Sequence, residues 1–306
     1  MISRYKHKDL IWIDLESPTA EEARTIGEEF QIHPMVAREL SIPSMRPRVE
    51  LYRNFVYLIL HFPELGRGKI AGPTRAKEVD FVIGKNFIIT TRFDAIDPLH
   101  QFSKIFEVNS ILDKGEMGEH AGFVFYLMIT KLYEAMLHEL EAVKDGIQRI
   151  EERVFKGEER AMVVSLSQMS RILLDFRRAI SAHKETLESF SVAGKKFFGG
   201  DFEYHLQSIT GEYYKVRNAV RDNMESVMEL RDTNNSLLNT KQNEVMKTLT
   251  IMAFVMLPLS FIASLYSMNT KTIPLVGVEH DFWIVLLVMS AVALFIIGAF
   301  KWKKWL

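Results

Sequence analysis

A long apolar run near the end of the chain constrains its fold more than any other feature. From Leu249 the sequence carries no charge until Lys271. The segment 249–267 holds roughly 19 residues, about 28 Å of helix, which is enough to cross the hydrocarbon core of a bilayer. A second apolar run, 282–300, has a similar length. The sequence therefore predicts two membrane helices joined by a short loop, 268–281.

One face of the first apolar run carries mostly small or polar side chains. They recur at steps of three and four residues, which keeps them on one side of a helix. The other positions, such as Ile251 and Phe261, are bulky and suit lipid or other helices. Two interpretations of the small face stay open: close packing against a neighbouring helix, or the lining of a water-filled pore. This set, called the stripe below, comprises Asn243, Met246, Thr250, Ala253, Leu257, Ser260, Ser264 and Ser267.

The composition fits a membrane protein with a sizeable soluble part. The chain has 306 residues, 48% of them hydrophobic and 25% charged, with a formal net charge of −1 and no cysteine. The near-zero charge gives no reason to expect nucleic acid as a partner. Without cysteine there are no disulfides and no thiolate metal sites. Residues 1–15 lack the apolar core of a signal peptide, so we expect the soluble part in the cytoplasm.

The distribution of positive charge predicts the topology. The segment Lys301–Lys304 follows the second apolar run, Lys241 and Lys247 precede the first, and Lys271 is the one lysine between them. The positive-inside rule then places both termini in the cytoplasm and the loop outside, in the inner membrane of a cell. Basic residues at the inner interface also predict contact with anionic membrane lipid.

The preceding part of the chain has the pattern of a mixed α and β domain followed by long helices. Short apolar runs predict strands at 10–14, 54–62, 78–83 and 86–91, and helices are expected from Ser17 to about Phe30 and from Pro34 to Leu40. Long amphipathic helices are expected at 123–155 and 158–190, with a turn at 195–201. A third helix, starting near Phe202, should continue unbroken through the first apolar run. Such a long helix needs neighbours, for which a symmetric bundle is the simplest solution.

The end of the first apolar run resembles the signature of the CorA family of divalent-cation channels, also called the two-transmembrane GxN family. That family has Gly-Met-Asn, usually after Tyr, where this chain has Tyr266–Asn269 with serine in place of glycine. The segments Asn243–Lys247 and Pro258–Ser260 match in register. Looser matches at Ile32–Pro34 and Arg46–Glu50 extend the resemblance along the chain.

The resemblance implies a funnel-shaped homopentamer. Its fold is an α+β cytoplasmic domain with α/β/α layers, followed by a long stalk helix and two C-terminal transmembrane helices. The implied boundaries are 1–200 for the cytoplasmic domain with its long helices, 201–248 for the stalk, 249–267 for the pore helix, 268–281 for the extracytoplasmic loop, 282–300 for the second membrane helix and 301–306 for a basic cytoplasmic tail.

The resemblance also implies an ion filter formed by Ser267, Met268 and Asn269. Mg²⁺ dehydrates reluctantly, and a ring of neutral Asn269 amide oxygens would select the hydrated ion. An asparagine at this place is equally a helix C-cap, and the two roles are compatible. Ser267 is the main departure from the family, because glycine there allows close approach and backbone angles that other residues adopt only at a cost.

Further roles follow from the same resemblance. Met246, Leu249 and Leu257 match apolar constrictions, which can gate by dewetting. Glu279 and Asp281 would attract cations to the outer mouth.

Members of the family close when cytoplasmic Mg²⁺ bridges acidic residues of neighbouring subunits. The candidates for such a regulatory metal site are Asp94, Asp97, Asp201 and Glu212. For Asp94 and Asp97 a purely structural role, capping a helix that begins near Pro98, is preferred over metal binding.

Three functions stay open. The first is a channel-like transporter of Mg²⁺, with Co²⁺ or Ni²⁺ as surrogates, driven by the membrane potential because no ATPase motif is present. The second is Zn²⁺ transport of the related ZntB type. The third is a non-conducting membrane scaffold or regulator that lost the filter glycine. No nucleophile and base pair stands out, so no enzyme activity and no organic cofactor are expected.

Overall fold

The computed structural model describes residues 1–44, 46–64, 76–112, 118–268 and 280–303. It divides into two compact units, Met1–Arg231 and Asp232–Leu306. The strands of the described ranges are β1 (Ile2–His7), β2 (Leu10–Glu16), β3 (Arg48–Leu51), β4 (Val56–Phe62), β5 (Lys77–Ile83) and β6 (Phe87–Arg92). The helices are α1 (Ala20–Glu29), α2 (Pro34–Glu39), α3 (Asp97–Leu112), α4 (Ala121–Phe155), α5 (Glu159–Ile180), α6 (His183–Phe198), α7 (Glu203–Tyr266) and α8 (Asp281–Trp302).

The strands form one sheet in the order β1-β2-β6-β5-β4-β3. β2 and β6 pair in parallel, and every other neighbouring pair is antiparallel. The four predicted strands are confirmed as β2, β4, β5 and β6, with ends shifted by one or two residues. The edge strands β1 and β3 were not predicted. Both contain charged residues between their apolar ones and are mostly half-exposed, so their apolar signal is weak.

Helices α1 and α2 cover one face of the sheet. Ile13 of β2 belongs to the buried cluster that also holds Ile26 of α1 and Val36 of α2. The two helices approach closely at Gly27, where an added Cβ would lie 2.6 Å from the Cβ of Ala37. A side chain at position 27 would therefore push the two helices apart.

Aromatic side chains fill the opposite face of the sheet. Trp12 of β2 packs edge-on against Phe102 and Phe106 of α3, with ring centroids 5.6 and 5.7 Å apart. Phe81 of β5 meets Phe125 of α4 at 5.1 Å. With helices on both faces of the sheet, the soluble fold has the predicted α/β/α layers.

Two side-chain caps set helix starts that differ from the prediction. Thr19 and Glu22 form a capping box, so α1 begins at Ala20 rather than at Ser17. His120 accepts the amide N–H of Gly122 through Nδ1 at 3.1 Å, so α4 begins two residues earlier than the predicted 123. The short helix α2 is confirmed.

The predicted helix 158–190 is wrong as one element, because α5 ends at Ile180 and α6 begins at His183. No glycine or proline causes the break. The His183 ring is fully buried, its Nε2 donates to the carbonyl of His61 at 2.8 Å, and its Nδ1 therefore accepts the hydroxyl of Tyr133 at 2.8 Å. His183 is thus held by bonds to β4 and α4, outside its own helix, and the break coincides with them, as expected where tertiary contacts override helix propensity.

The predicted turn at 195–201 is shorter than expected. α6 continues to Phe198 and ends at Gly199, whose φ of 100° is a left-handed angle that glycine adopts without strain. A 3-10 turn, Gly200–Phe202, then leads into α7.

The helix α7 confirms the unbroken third helix. It contains 64 residues with Pro258 inside it, about 96 Å of helix, and it contributes to both compact units. By length and composition α7 and α8 are able to cross a membrane. In the most apolar stretch of each helix, none of the residues is buried within the chain.

The buried His183 predicts an acid-sensitive stability. Burial lowers its pKa to about 4, whereas an unfolded imidazole titrates near 6.5. Below pH 6.5 the unfolded chain binds a proton that the folded chain does not. The free energy of unfolding should therefore fall as the pH drops from 6.5 to 4, by on the order of 3 kcal/mol from this residue. Thermal unfolding of the full chain in detergent at pH 7.5 and 5 measures the effect.

A glutamine at position 183 keeps an N–H donor but does not titrate. We expect His183→Gln to be less stable at pH 7.5 and to lose less stability on acidification than the native chain. The control is His138→Gln, which removes an exposed imidazole of α4 and should behave like the native chain. An equal acid loss in His183→Gln would contradict this account.

Candidate ion pathway

Within the second unit, α8 packs along one side of α7. The rings of Phe254 and Phe300 meet edge-on with centroids 6.1 Å apart. Partly buried positions on α7 recur at Ile251, Val255 and Ile262, which share one face of the helix. The sequence assigned these bulky residues to lipid or other helices, and their half-burial, together with the ring contact of Phe254, indicates that this side of α7 faces α8.

The stripe lies on the opposite side of α7. At about 100° per residue, Ala253, Leu257, Ser260 and Ser264 point roughly 180° away from the α8-facing side. All four are exposed in the single chain. A second helix of the same chain therefore does not cover them, and they remain available to water or to another copy.

The three residues predicted to form apolar constrictions lie on the same side of α7 as the stripe. Met246, Leu249 and Leu257 expose 56%, 55% and 69% of their surface. Thr250 is half-buried, and its hydroxyl donates to the carbonyl of Met246 at 2.7 Å. Asn243 is exposed one turn before Met246. One exposed face of α7 thus alternates between hydroxyl or amide groups and bulky apolar side chains.

The predicted filter lies where α7 ends. Tyr266 is the last helical residue, and the amide N–H of Ser267 still donates to two carbonyl groups one turn back, at 3.1 and 3.2 Å. Ser267 does not have a positive φ, so its backbone does not demand glycine. Met268 is exposed. Asn269 lies outside the described residues.

Of the two acidic residues predicted at the outer mouth, the structure describes one. Glu279 lies outside the described residues. Asp281 begins α8, and its carboxylate accepts the amide N–H of Phe282 at 2.7 Å. A negative charge at a helix N-terminus stabilises the helix. Asp281 therefore has a local structural role, and this role is compatible with the attraction of cations.

The four candidates for a regulatory metal occupy separate elements. Asp94 follows β6, Asp97 begins α3 and Asp201 lies in the 3-10 turn. Glu212 lies on α7 and pairs with Lys215 at 2.6 Å. In the part of the chain that the structure describes, no three His, Asp or Glu side chains gather into a metal site. A regulatory site built from these residues stays a prediction, and it would have to include a neighbouring copy.

These features define a class of protein: a membrane protein with an α/β/α soluble domain, a long helix that carries the candidate pathway, and two C-terminal apolar helices. The family model for CorA-like Mg²⁺ transporter proteins matches residues 7–302. The chain belongs to this family. Its members are ion transporters, so the chain is a transporter rather than an enzyme.

Individual relatives agree with this assignment. The cobalt/magnesium transport protein CorA of Thermotoga maritima is 27% identical, and the match covers 96% of this chain and 83% of the relative. The complete structure of the CorA magnesium transporter from Methanocaldococcus jannaschii has a TM-score of 0.84 at 19% identity, covering 97% of this chain and 92% of that chain. The full-length CmaX protein has a TM-score of 0.75 at 19% identity, covering 97% and 89%. These structures show that the fold extends over nearly the whole chain.

The exposed stripe predicts a pattern of water accessibility that can be measured directly. The chain has no cysteine, so single cysteine variants report without background. We expect Ser260→Cys and Ser264→Cys to react with a charged, water-soluble thiol reagent in the membrane. Val255→Cys and Ile262→Cys, on the α8-facing side, should not react. Equal labelling on both sides of α7 would contradict the assignment of the stripe to a water-filled path.

Proposed function

We propose that this chain assembles as a homopentamer and conducts divalent cations, Mg²⁺ with Co²⁺ and Ni²⁺ as surrogates, across the inner membrane. Membership of a family of Mg²⁺ transporters supports the ion, and the names of the relatives agree with it. The proposed boundaries are those predicted from the sequence, with membrane helices at 249–267 and 282–300 and with both termini in the cytoplasm.

The exposed stripe is the observation that carries this proposal. Its small and hydroxyl side chains face away from α8 and are not buried in one chain. Lipid is a poor neighbour for such groups, because a polar group without a partner is costly in hydrocarbon. Copies arranged around an axis would turn the stripe inward, where the hydroxyls meet water and the bulky residues form rings.

Each part of the proposed path has a distinct task. An Asn269 ring would present neutral amide oxygens, which bind a hydrated divalent ion without the strong retention that carboxylates cause. Rings of Met246, Leu249 and Leu257 would close the path by excluding water. Asn243 would surround the cytoplasmic exit.

The membrane potential would supply the driving force. A divalent ion gains roughly 4.6 kcal/mol per 100 mV, twice the value for a single charge. On the cytoplasmic side, Lys247 and the segment Lys301–Lys303 would contact anionic lipid. Their placement matches the positive-inside rule.

Ser267 favours one alternative, a non-conducting scaffold or regulator, because it stands where the family has glycine. The helical hydrogen bonds of Ser267 argue against a backbone defect. Any effect would then come from the hydroxymethyl group at the entrance. Zn²⁺ transport is a second alternative, distinguished by a dependence of flux on a proton gradient.

Removing the Asn269 amide should abolish uptake. We expect the native chain in proteoliposomes to take up Mg²⁺ when the interior is made negative with a K⁺ diffusion potential, and Asn269→Ala to lose this uptake. The physical reason is the loss of the neutral oxygen ring. Uptake is measured with a Mg²⁺-sensitive dye enclosed in the vesicles.

The matched control is Asn218→Ala, which removes an exposed amide elsewhere on α7 and should conduct normally. Size-exclusion chromatography checks that each variant remains oligomeric. If the native chain fails to conduct Mg²⁺, Co²⁺ and Ni²⁺ while its oligomer is intact, the proposal is wrong.

Restoring the family glycine separates the proposal from the scaffold alternative. Because the Ser267 backbone is unstrained, we expect Ser267→Gly to change the rate of Mg²⁺ uptake by less than about threefold, under 1 kcal/mol in barrier. Flux that appears only in Ser267→Gly would support the scaffold alternative and show that the serine blocks the entrance. The same proteoliposome assay applies.

A further inference from the structure

A cleft in the first unit has a lining that the ion pathway does not use. It lies between the junction of α5 and α6 and the first half of α7, and its volume is about 500 Å³. This is within the size range of small-molecule sites. Ser181, the C-cap of α5, is one of its lining residues.

Basic side chains dominate the cleft. Arg177, Lys184, Arg217 and Arg221 line it. Arg221 lies 3.2 Å from the carboxylate of Asp222, and Lys184 also has a carboxylate within 4 Å.

Two of the arginines are not neutralised. Over the described ranges, Arg177 and Arg217 have no ion-pair partner. The guanidinium of Arg217 lies 5.9 Å from the ring centroid of Tyr214, which leaves its N–H groups available. Arginine is the residue best suited to bind phosphate, because its planar fork donates two parallel hydrogen bonds.

The cleft also has an aromatic and apolar wall. Tyr213 is buried, and Ile180, Val220 and Met224 lie beside it in the lining. Burial raises the pKa of Tyr213, so its hydroxyl stays protonated and able to donate. A wall of this kind suits a flat, partly apolar group, which free phosphate lacks.

Two carboxylates complete the lining, Glu185 and Glu225, and an oxygen of Glu225 lies 3.9 Å from Nε of Arg221. On their own they would repel a polyphosphate. Mg²⁺ resolves the conflict, because proteins usually hold it through one or two carboxylates together with the phosphates of a ligand. The mixed charge of the cleft therefore matches a metal–polyphosphate complex better than a bare anion.

We propose that this cleft binds a nucleoside polyphosphate as its Mg²⁺ complex. Arg177 and Arg217 contact the phosphates, Glu185 and Glu225 hold the metal through its waters, and the wall around Tyr213 receives the base. Such a site would let the protein respond to the pool of Mg²⁺-bound nucleotide, separately from the path of the ion.

Isothermal titration of the full chain in detergent with ATP tests the proposal. In the presence of Mg²⁺ we expect saturable binding. The double variant Arg177→Gln with Arg217→Gln should weaken it at least about tenfold, because it removes two charge-assisted contacts. The matched control, Arg171→Gln with Arg178→Gln, removes two exposed arginines of the same region that do not line the cleft, and it should bind like the native chain.

Three further titrations separate the parts of the ligand. ATP with EDTA, inorganic triphosphate with Mg²⁺, and adenosine alone should each bind more weakly than ATP with Mg²⁺. The absence of saturable ATP binding, equal binding by the cleft variant, or equal affinity for any of these three probes would overturn the proposal. Binding is read without ion flux, so the outcome is independent of the test of the pathway.

Discussion

The structure depends on apolar surface that a single chain does not bury. Over the most apolar parts of α7 and α8, no residue is buried within the chain. Leaving such surface in water costs about 25 cal/mol per Å², so these helices require lipid or other copies. Lipid satisfies the bulky side chains, whereas the exposed hydroxyls of Ser260 and Ser264 are met better by water or by another copy. Contact with lipid would therefore cover the bulky side of α7, and contact with water or other copies would cover the stripe.

A bilayer also requires that backbone polar groups find partners within the segment, which favours continuous helices. α7 meets this requirement over 64 residues, and Pro258 interrupts the hydrogen bonds at one position without ending the helix. The same rule bears on Ser267. The helix ends just before it with the N–H of Ser267 still bonded, so the serine does not interrupt the backbone hydrogen bonds.

Much of this fold could be predicted from local patterns in the sequence. The features that were missed depend on contacts between residues far apart in the chain. The apolar runs, the buried strands and the stripe are periodic in the sequence, and each was found from it. The break before α6 was not found, because no local signal marks it, and the bonds of His183 that accompany it reach residues 50 and 122 positions away. The stripe was likewise predicted from the sequence. Which side of α7 faces α8 was not, because it depends on how the two helices pack. The filter asparagine rests on the family resemblance alone.

The proposed pathway and the proposed nucleotide cleft place opposite demands on side-chain chemistry. A conducting path has to bind an ion weakly enough to release it, which favours neutral oxygens and apolar rings, and the stripe has no charged residue. A site that senses a ligand has to hold it, which favours charged groups, and the cleft beside the α5 and α6 junction has two arginines without an ion-pair partner among the described residues. The cleft lies at the junction of α5 and α6 and the stripe lies on the membrane part of α7, so the two demands fall on different residues of the chain.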